Sequence, residues 1–208
     1  MPRTEGPPHA QAGKRAGAET PPPVCVQGSR PDRGITDELD AGVFRTRLAG
    51  GTEVWTERME SMRSLAIGCW FRSGSAHDSE SLSGSAHLLE HMVFKGTSRR
   101  SARQIASEIE DLGGSLDAYT AHEHTAFLAR VPDDRSETAV DVLFDLAFQP
   151  KLDAGDLNLE REVVLEEIAR CEDTPDDLVF DLHAEFLYGG HPYGRPILGT
   201  RETVGAIT

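Results

Sequence analysis

The order of elements in this sequence predicts an α+β fold, with helices packed on a largely antiparallel sheet. Three observations carry that reading. Strand-like stretches come first, at 43–48, 52–57 and 64–71. Strands and helices then alternate irregularly, without the regular βα repeat that builds a parallel sheet. Two further strands, at 115–120 and 125–131, read as a pair across a short polar loop. At 208 residues the chain is long enough for one substantial domain with its own core.

Residues 1–41 are rich in Pro, Gly and Ala, including Pro7-Pro8 and Pro21-Pro22-Pro23, and show no apolar periodicity. That composition predicts a disordered leader. It has no apolar core of the kind a secretory signal needs. Arg3, Lys14 and Arg15 leave an amphipathic transit peptide as the alternative, although the prolines would break such a helix. Order is expected from about residue 43, where two strands flank Gly50-Gly51, a hairpin signal. In 64–71, Leu65, Ile67, Cys69 and Phe71 alternate with Ala66, Gly68 and Trp70. Both faces are mostly apolar, which predicts a strand buried on both sides inside a sheet.

A polar, Gly- and Ser-rich loop at 73–83 leads into a helix from about 82 to 94, with Gly96 as its stop. Ser101 and Gln104 form a capping box for the next helix, which carries Ile105, Ile109 and Leu112 on one face and ends at Gly113-Gly114. A helix at 135–148 places Val140, Leu143, Phe144 and Ala147 at core spacing, and Pro150 closes it. Helices at 154–171 and 175–188 follow, the second with Thr174 as N-cap, Pro175 at its first position and acidic residues in its first turn. The latter's face of Val179, Leu182 and Phe186 takes in His183, read as a packed core histidine. Another helix begins at 201.

A net charge of −14 argues against nucleic acid, whose phosphates demand a basic surface, and suits neutral or basic ligands. No run reaches the roughly 18 apolar residues that would span a membrane. Cys25, Cys69 and Cys171 are odd in number, far apart and form no C-x-x-C pair, the signature of a reducing compartment without a zinc ribbon.

The stretch with the most chemistry is His87-Leu88-Leu89-Glu90-His91. Two histidines four apart on a helix leave from one face, about one turn apart. Neutral imidazoles so placed can share one Zn²⁺, with Glu90 beside it on the helix surface. The order H-x-x-E-H inverts the zinc-peptidase motif H-E-x-x-H. The motif alone leaves open a helix that simply carries two solvated histidines and a glutamate. A second clue lies in the helix at 154–171. Its apolar stripe of Val163, Val164, Ile168 and Cys171 passes, on the 3.6-residue period, through Glu160 and Glu167, while Glu162 and Glu166 point elsewhere. Buried carboxylates are normally paired, neutralised or metal-bound. A catalytic zinc site needs a third protein ligand, with the fourth position left to water, and Glu167 is the candidate.

With these residues in place the chain resembles the pitrilysin/insulinase-type metallopeptidases, the M16 group, and most of all the branch that includes the mitochondrial processing peptidase and its bacterial relatives. The resemblance runs over about 43–208 and rests on 84–97, which holds the motif, on 112–121, on 160–168 and on 191–200. It implies that His87, His91 and Glu167 hold zinc, since the family's third ligand lies about 76 residues beyond the second motif histidine. It implies that Glu90 is the general base and that Glu160 supports the site by orienting a ligand imidazole. It also implies an extended peptide substrate paired with the strand holding Asp117 and Ala118, where family members usually carry Asn at the first of these positions. Family chains run to roughly twice this length, in two similar halves around a chamber. The chain therefore reads as most of the first, zinc-binding half (42–208), truncated at its C-terminal end, and the implied partner is the missing C-terminal half or a homologous subunit.

The implied setting is the bacterial cytoplasm, with the mitochondrial matrix as alternative. A non-catalytic M16-fold subunit and a structural zinc or interaction domain remain the other classes. His122 and His124 read as solvated loop residues beside the substrate-pairing segment. His77 and His191 lie in Gly- and Pro-bounded loops with no site signal of their own.

Overall fold

The computed structural model describes residues 34–208, which divide into two compact units with the boundary after Met59.

The first unit contains a three-stranded antiparallel meander, ordered β1 (Ile35–Asp40), β2 (Val43–Arg47) and β3 (Glu53–Glu57). The expected hairpin is present: Gly51 takes a positive φ of 86°, and Val43 faces Glu57 across the ladder. Strand β1 lies inside the stretch read as a disordered leader, so that reading fails for 35–40. Its six residues hold only Ile35 and Leu39 as large apolar side chains, and cross-strand pairing supplies what apolar periodicity does not. Thr36 bonds to Thr46, and Asp37 pairs with Arg45 at 3.1 Å. Residues 1–33 of the leader lie outside the described residues.

The second unit is built on the sheet β4 (Ser64–Phe71), β6 (Thr125–Pro132), β5 (Ser115–Thr120), antiparallel throughout and in that order. The central strand is β6, whose Ala126, Phe127, Ala129 and Val131 are buried. Among the described residues strand β4 has a neighbour on one side only, which corrects the expectation of a strand inside a sheet. Its Leu65, Ile67, Cys69 and Phe71 face the core as read, but Trp70 is 60% exposed. The indole folds back over Gly68, where an added Cβ would meet the ring at 2.4 Å. Apolar residues on the second face thus cover one another, not a second layer.

The main core joins this sheet to α2 (Ala102–Asp111), through Ile105 and Ile109, and to α3 (Ser136–Phe148), through Ala139, Val142, Leu143 and Leu146. The α3 stripe is rotated from the expected one: Leu143 is buried, but Val140 and Phe144 are 41% and 45% exposed. Ala139 and Val142 complete the buried i, i+3, i+4, i+7 line, and choosing the bulkier residues put the face one step off. The expected capping box of α2 is present, Ser101 N–H reaching Gln104 Oε1 at 2.9 Å.

A second, smaller core joins α1 (Ser85–Val93), α4 (Ala154–Asp173) and α6 (Arg201–Gly205) through Leu88, Val164, Ile168 and Val204. Helix α5 (Pro175–Tyr188) starts at Pro175 as read. Its half-buried residues are Leu178, Asp181 and Ala184, however, while Val179, Leu182, Phe186 and His183 are exposed. His183 is not a core histidine.

Candidate metal centre

Helix α1 is set in place by residues far from it in sequence. Its N-cap is Gly84, which has no side chain to cap with and takes a φ of 93°. A Cβ there would come within 2.4 Å of the Leu198 carbonyl, so the chain at 198–199 presses on the helix start. The cap is supplied by Asp78, whose carboxylate accepts from Gly84 N–H at 3.0 Å, Ser85 Oγ at 2.9 Å and Ala86 N–H at 3.3 Å. Three acceptances at a helix N-terminus satisfy otherwise unpaired donors and suit the helix dipole. Arg195 in turn donates to the Asp78 carbonyl at 2.7 Å. Two single 3₁₀ turns, Ser75–His77 and Glu80–Leu82, occupy the loop before the helix, which is why α1 begins three residues later than its apolar pattern suggests.

The C-terminal end of α1 is anchored as firmly. Gly96 turns the chain at φ 124°. Thr97, buried, then donates to Asp145 Oδ2 at 2.7 Å, and Arg100 reaches the same oxygen at 2.7 Å. Between these fixed ends, Leu88 and Met92 are buried, Leu88 against Val164 and Ile168 of α4, and His87, Glu90 and His91 are half-buried on neighbouring positions of the same helix.

The two motif imidazoles meet α4. His87 Nε2 lies 3.7 Å and His91 Nε2 3.6 Å from the same oxygen of Glu167. One donor atom from each of the three residues falls within 4.8 Å of the others, the one such set of three or more among the described residues. Burial, and then the neighbouring His91, push the His87 imidazole down to about 4, which keeps it neutral at neutral pH. A neutral imidazole is the form that binds metal. Its Nδ1 is buried without a hydrogen-bond partner. Two imidazole nitrogens and one carboxylate oxygen turned to a common point form a donor set that suits zinc. Glu166, one residue earlier, is exposed.

Glu160 is buried on the same helix, one oxygen 3.2 Å from His91 Nδ1 and the other 2.6 Å from Lys95 Nζ. Glu90 accepts from Thr120 Oγ1, at the end of β5, at 2.5 Å. Burial, chiefly, raises the Glu90 carboxyl above its ordinary value, opposed by the Thr120 hydrogen bond. A raised carboxylate is a better proton acceptor near neutrality. Asp117 and Ala118 lie on β5, whose other edge has no partner strand among the described residues. Asp117 Oδ1 accepts the Ala118 N–H at 2.9 Å.

Sequence reasoning missed Lys95, Thr120 and Asp78, each of which reaches the site through tertiary contact. It also read His122 and His124 as solvated, whereas both are half-buried and bonded: Ser75 Oγ lies 3.0 Å from His122 Nδ1, and Tyr119 Oη 3.2 Å from His124 Nε2. His77 and His191, given no site signal, share with His124, Arg72, Glu123 and Tyr193 the walls of an open cleft of about 580 Å³.

Comparison with known proteins identifies the family. The profile of the family described as Insulinase (Peptidase family M16) matches residues 53–201. An uncharacterized zinc protease of Mycobacterium leprae is 46% identical over 168 residues, 81% of this chain and 38% of that protein. A probable mitochondrial-processing peptidase subunit beta of Arabidopsis thaliana is 43% identical over 78% of this chain and 31% of its own length. The chain thus spans about two fifths of the first of these relatives. Among solved structures, a protease from Helicobacter pylori superposes with a TM-score of 0.76 over 80% of this chain and 40% of its own, at 21% identity, a likeness of fold. Pitrilysin superposes with a TM-score of 0.69 at 29% identity, over 86% of this chain and 19% of its own. On the match to its profile, which takes in the motif helix and the glutamate helix together, the chain belongs to the insulinase family of peptidases, M16.

Proposed function

We propose that this chain is the zinc-binding half of an endopeptidase that hydrolyses extended peptides. One observation carries the reading: His87 Nε2, His91 Nε2 and one oxygen of Glu167 converge from two helices, with Glu90 held beside them by Thr120. His87, His91 and Glu167 would hold the metal. Bound there, Zn²⁺ would acidify a water and polarise the scissile carbonyl. Glu90 takes the proton from the attacking water at its carboxylate and delivers it to the leaving amine. Glu160 accepts the Nδ1–H of His91, which leaves Nε2 free to bind metal and fixes the ring. The substrate lies extended along the open edge of β5, near Asp117 and Ala118, adding a strand to the sheet. For that strand to pair, Asp117 must give up the Ala118 N–H it now accepts.

The set of three donors leaves a coordination position for water, which favours a catalytic over a structural zinc. The non-catalytic reading is opposed by the presence of all four motif residues in one cluster. Because the relatives are more than twice as long, the proposed partner is a C-terminal M16 half or a homologous subunit that completes the substrate chamber. The reducing signature of the cysteines supports a cytoplasmic setting. The test is zinc content measured beside peptide hydrolysis, for the chain alone and combined with such a half. One zinc per chain, with hydrolysis that appears on combination and vanishes with a chelator, is the expected result. A chain that binds no zinc in either state overturns the reading.

A further inference from the structure

Lys95 lies one turn beyond His91, just past the end of α1, and belongs to none of the roles above. Its backbone is fixed on both sides: its N–H bonds the Met92 carbonyl at 3.1 Å, and the Gly96 carbonyl accepts from Lys151 N–H at 2.9 Å. The ammonium reaches across to α4 and meets Glu160 Oε1 at 2.6 Å, the shortest ion pair at the centre. The other oxygen of Glu160 faces His91 Nδ1 at 3.2 Å. The Glu160 side chain is 9% exposed, so its charge is removed from water and Lys95 is the cation that offsets it.

We propose that Lys95 is a positioning residue for the metal centre, acting through Glu160 upon His91. The inference rests on the zinc reading above. A carboxylate held by one oxygen alone turns freely about its last torsion, which is broad and roughly two-fold. Lys95 takes the second oxygen and stops that rotation, so that Oε2 stays aimed at the His91 Nδ1–H. The His91 ring is then locked with Nε2 toward Glu167. The chain of contacts starts just past α1, at Lys95, passes through a single α4 side chain and ends on α1, at His91. It therefore also fixes the register between the two helices that carry the donors. Arg99 and Arg100, the next cations along, are engaged with Asp141, Asp145 and Glu108 and do not replace it.

The experiment is a double-mutant cycle on zinc affinity, read by competition with a chromophoric chelator. Removing a partner that orients a metal-ligating histidine weakens metal binding about 10–100-fold. Lys95→Met is expected to lose affinity within that range and Glu160→Gln to lose a comparable factor. Lys95→Met placed in the Glu160→Gln background should add less than about twofold, because its route is already cut. Lys95→Arg, which keeps the charge, should recover most of the loss. The melting temperature of the zinc-free Lys95→Met chain shows whether it folds, and Lys95→Gln serves in its place if it does not. A wild-type chain that takes up no zinc overturns the metal reading and the Lys95 role with it. Wild-type uptake with unchanged affinity in Lys95→Met, or the same loss with and without Glu160, overturns the Lys95 role alone.

Discussion

Helices α4 and α5 are neighbours in sequence and carry apolar stripes of similar strength, yet the structure treats them in opposite ways. On α4 most of the predicted stripe turns inward: Val164 and Ile168 are buried against α1 and α6, Cys171 is half-buried, and Glu160 and Glu167 sit on the same side, while Val163 is 40% exposed and does not belong to it. On α5 the predicted stripe turns outward, with Phe186 89% exposed and Val179 55%. Periodicity identifies a face but not its partner. The glutamates make the difference readable on α4. Two carboxylates seven apart on an apolar line need a cation or a metal; α1 supplies both imidazoles, and Lys95, just past its end, an ammonium. The α5 line carries no such demand, and the residues it half-buries, Leu178, Asp181 and Ala184, form a mixed face.

The comparison breaks most visibly at Glu167. Glu167→Ala should abolish stoichiometric zinc binding, while Glu166→Ala, one residue away on the exposed side, should leave it intact. Elemental analysis that finds equal loss in both would show that the inward face of α4 has no special standing. Glu90→Gln, on α1, asks whether the centre that this face completes does chemistry or only binds. Zinc should stay, and hydrolysis by the chain combined with a C-terminal half should fall by at least about 10²–10⁴-fold, the usual contribution of a general base. Full activity in that variant would mean that another group handles the proton.

The parts of this site that were legible in the sequence share one property: they are local. His87, Glu90 and His91 follow from a spacing on one helix, and Glu160 and Glu167 from a spacing on another. What was illegible arrives from elsewhere in the chain. Asp78 caps α1 across two 3₁₀ turns, Thr120 reaches Glu90 from the sheet, and Lys95 is a surface-type residue until α4 packs beside it. The fold divides the same way. The hairpin and the α2 capping box are short-range devices and were read correctly. The place of β4 at an edge, and the rotation of the α3 stripe, depend on which strand the helices choose to cover. Strand β1 was missed because its pairing to β2 is specified by polar cross-strand contacts, which leave no hydrophobic trace.

Packing sharpens the comparison further. Ile168→Ala, in the buried line of α4, should cost about 2–5 kcal/mol in chemical denaturation, the range for emptying a core position. A loss below about 1 kcal/mol would mean that the small core between α1, α4 and α6 is not cooperative with the rest.

Acid offers another measure of the same side of the molecule. The folded-state value of His87 is depressed to about 4, below its ordinary 6.5. A group depressed on folding contributes stability that is present above 6.5 and lost as the pH falls toward 4, because the unfolded chain takes up the proton first. For the metal-free chain the loss should be on the order of 3 kcal/mol across that window. His87→Asn should flatten the profile there. An unchanged slope would place His87 in solvent in solution.

The smallest effect on stability is expected on α5, and it tests the other half of the comparison. Phe180 is 73% exposed and Phe186 89%, so replacing either removes almost no buried area. Phe180→Ser and Phe186→Ser should each change the unfolding free energy by no more than about 0.5 kcal/mol, the range for surface positions. Their effect should appear in association instead. Val179, Phe180, Leu182, Phe186 and Leu187 are all more than half exposed on one short helix, and contiguous apolar surface of that kind drives contact between copies when nothing covers it. Sedimentation of the wild-type chain should therefore show concentration-dependent self-association, and the double serine variant should be closer to monomeric at the same unfolding midpoint. Serine variants that unfold by several kcal/mol more easily would mean that the α5 stripe is buried in solution, as its periodicity first suggested, and the contrast with α4 would disappear.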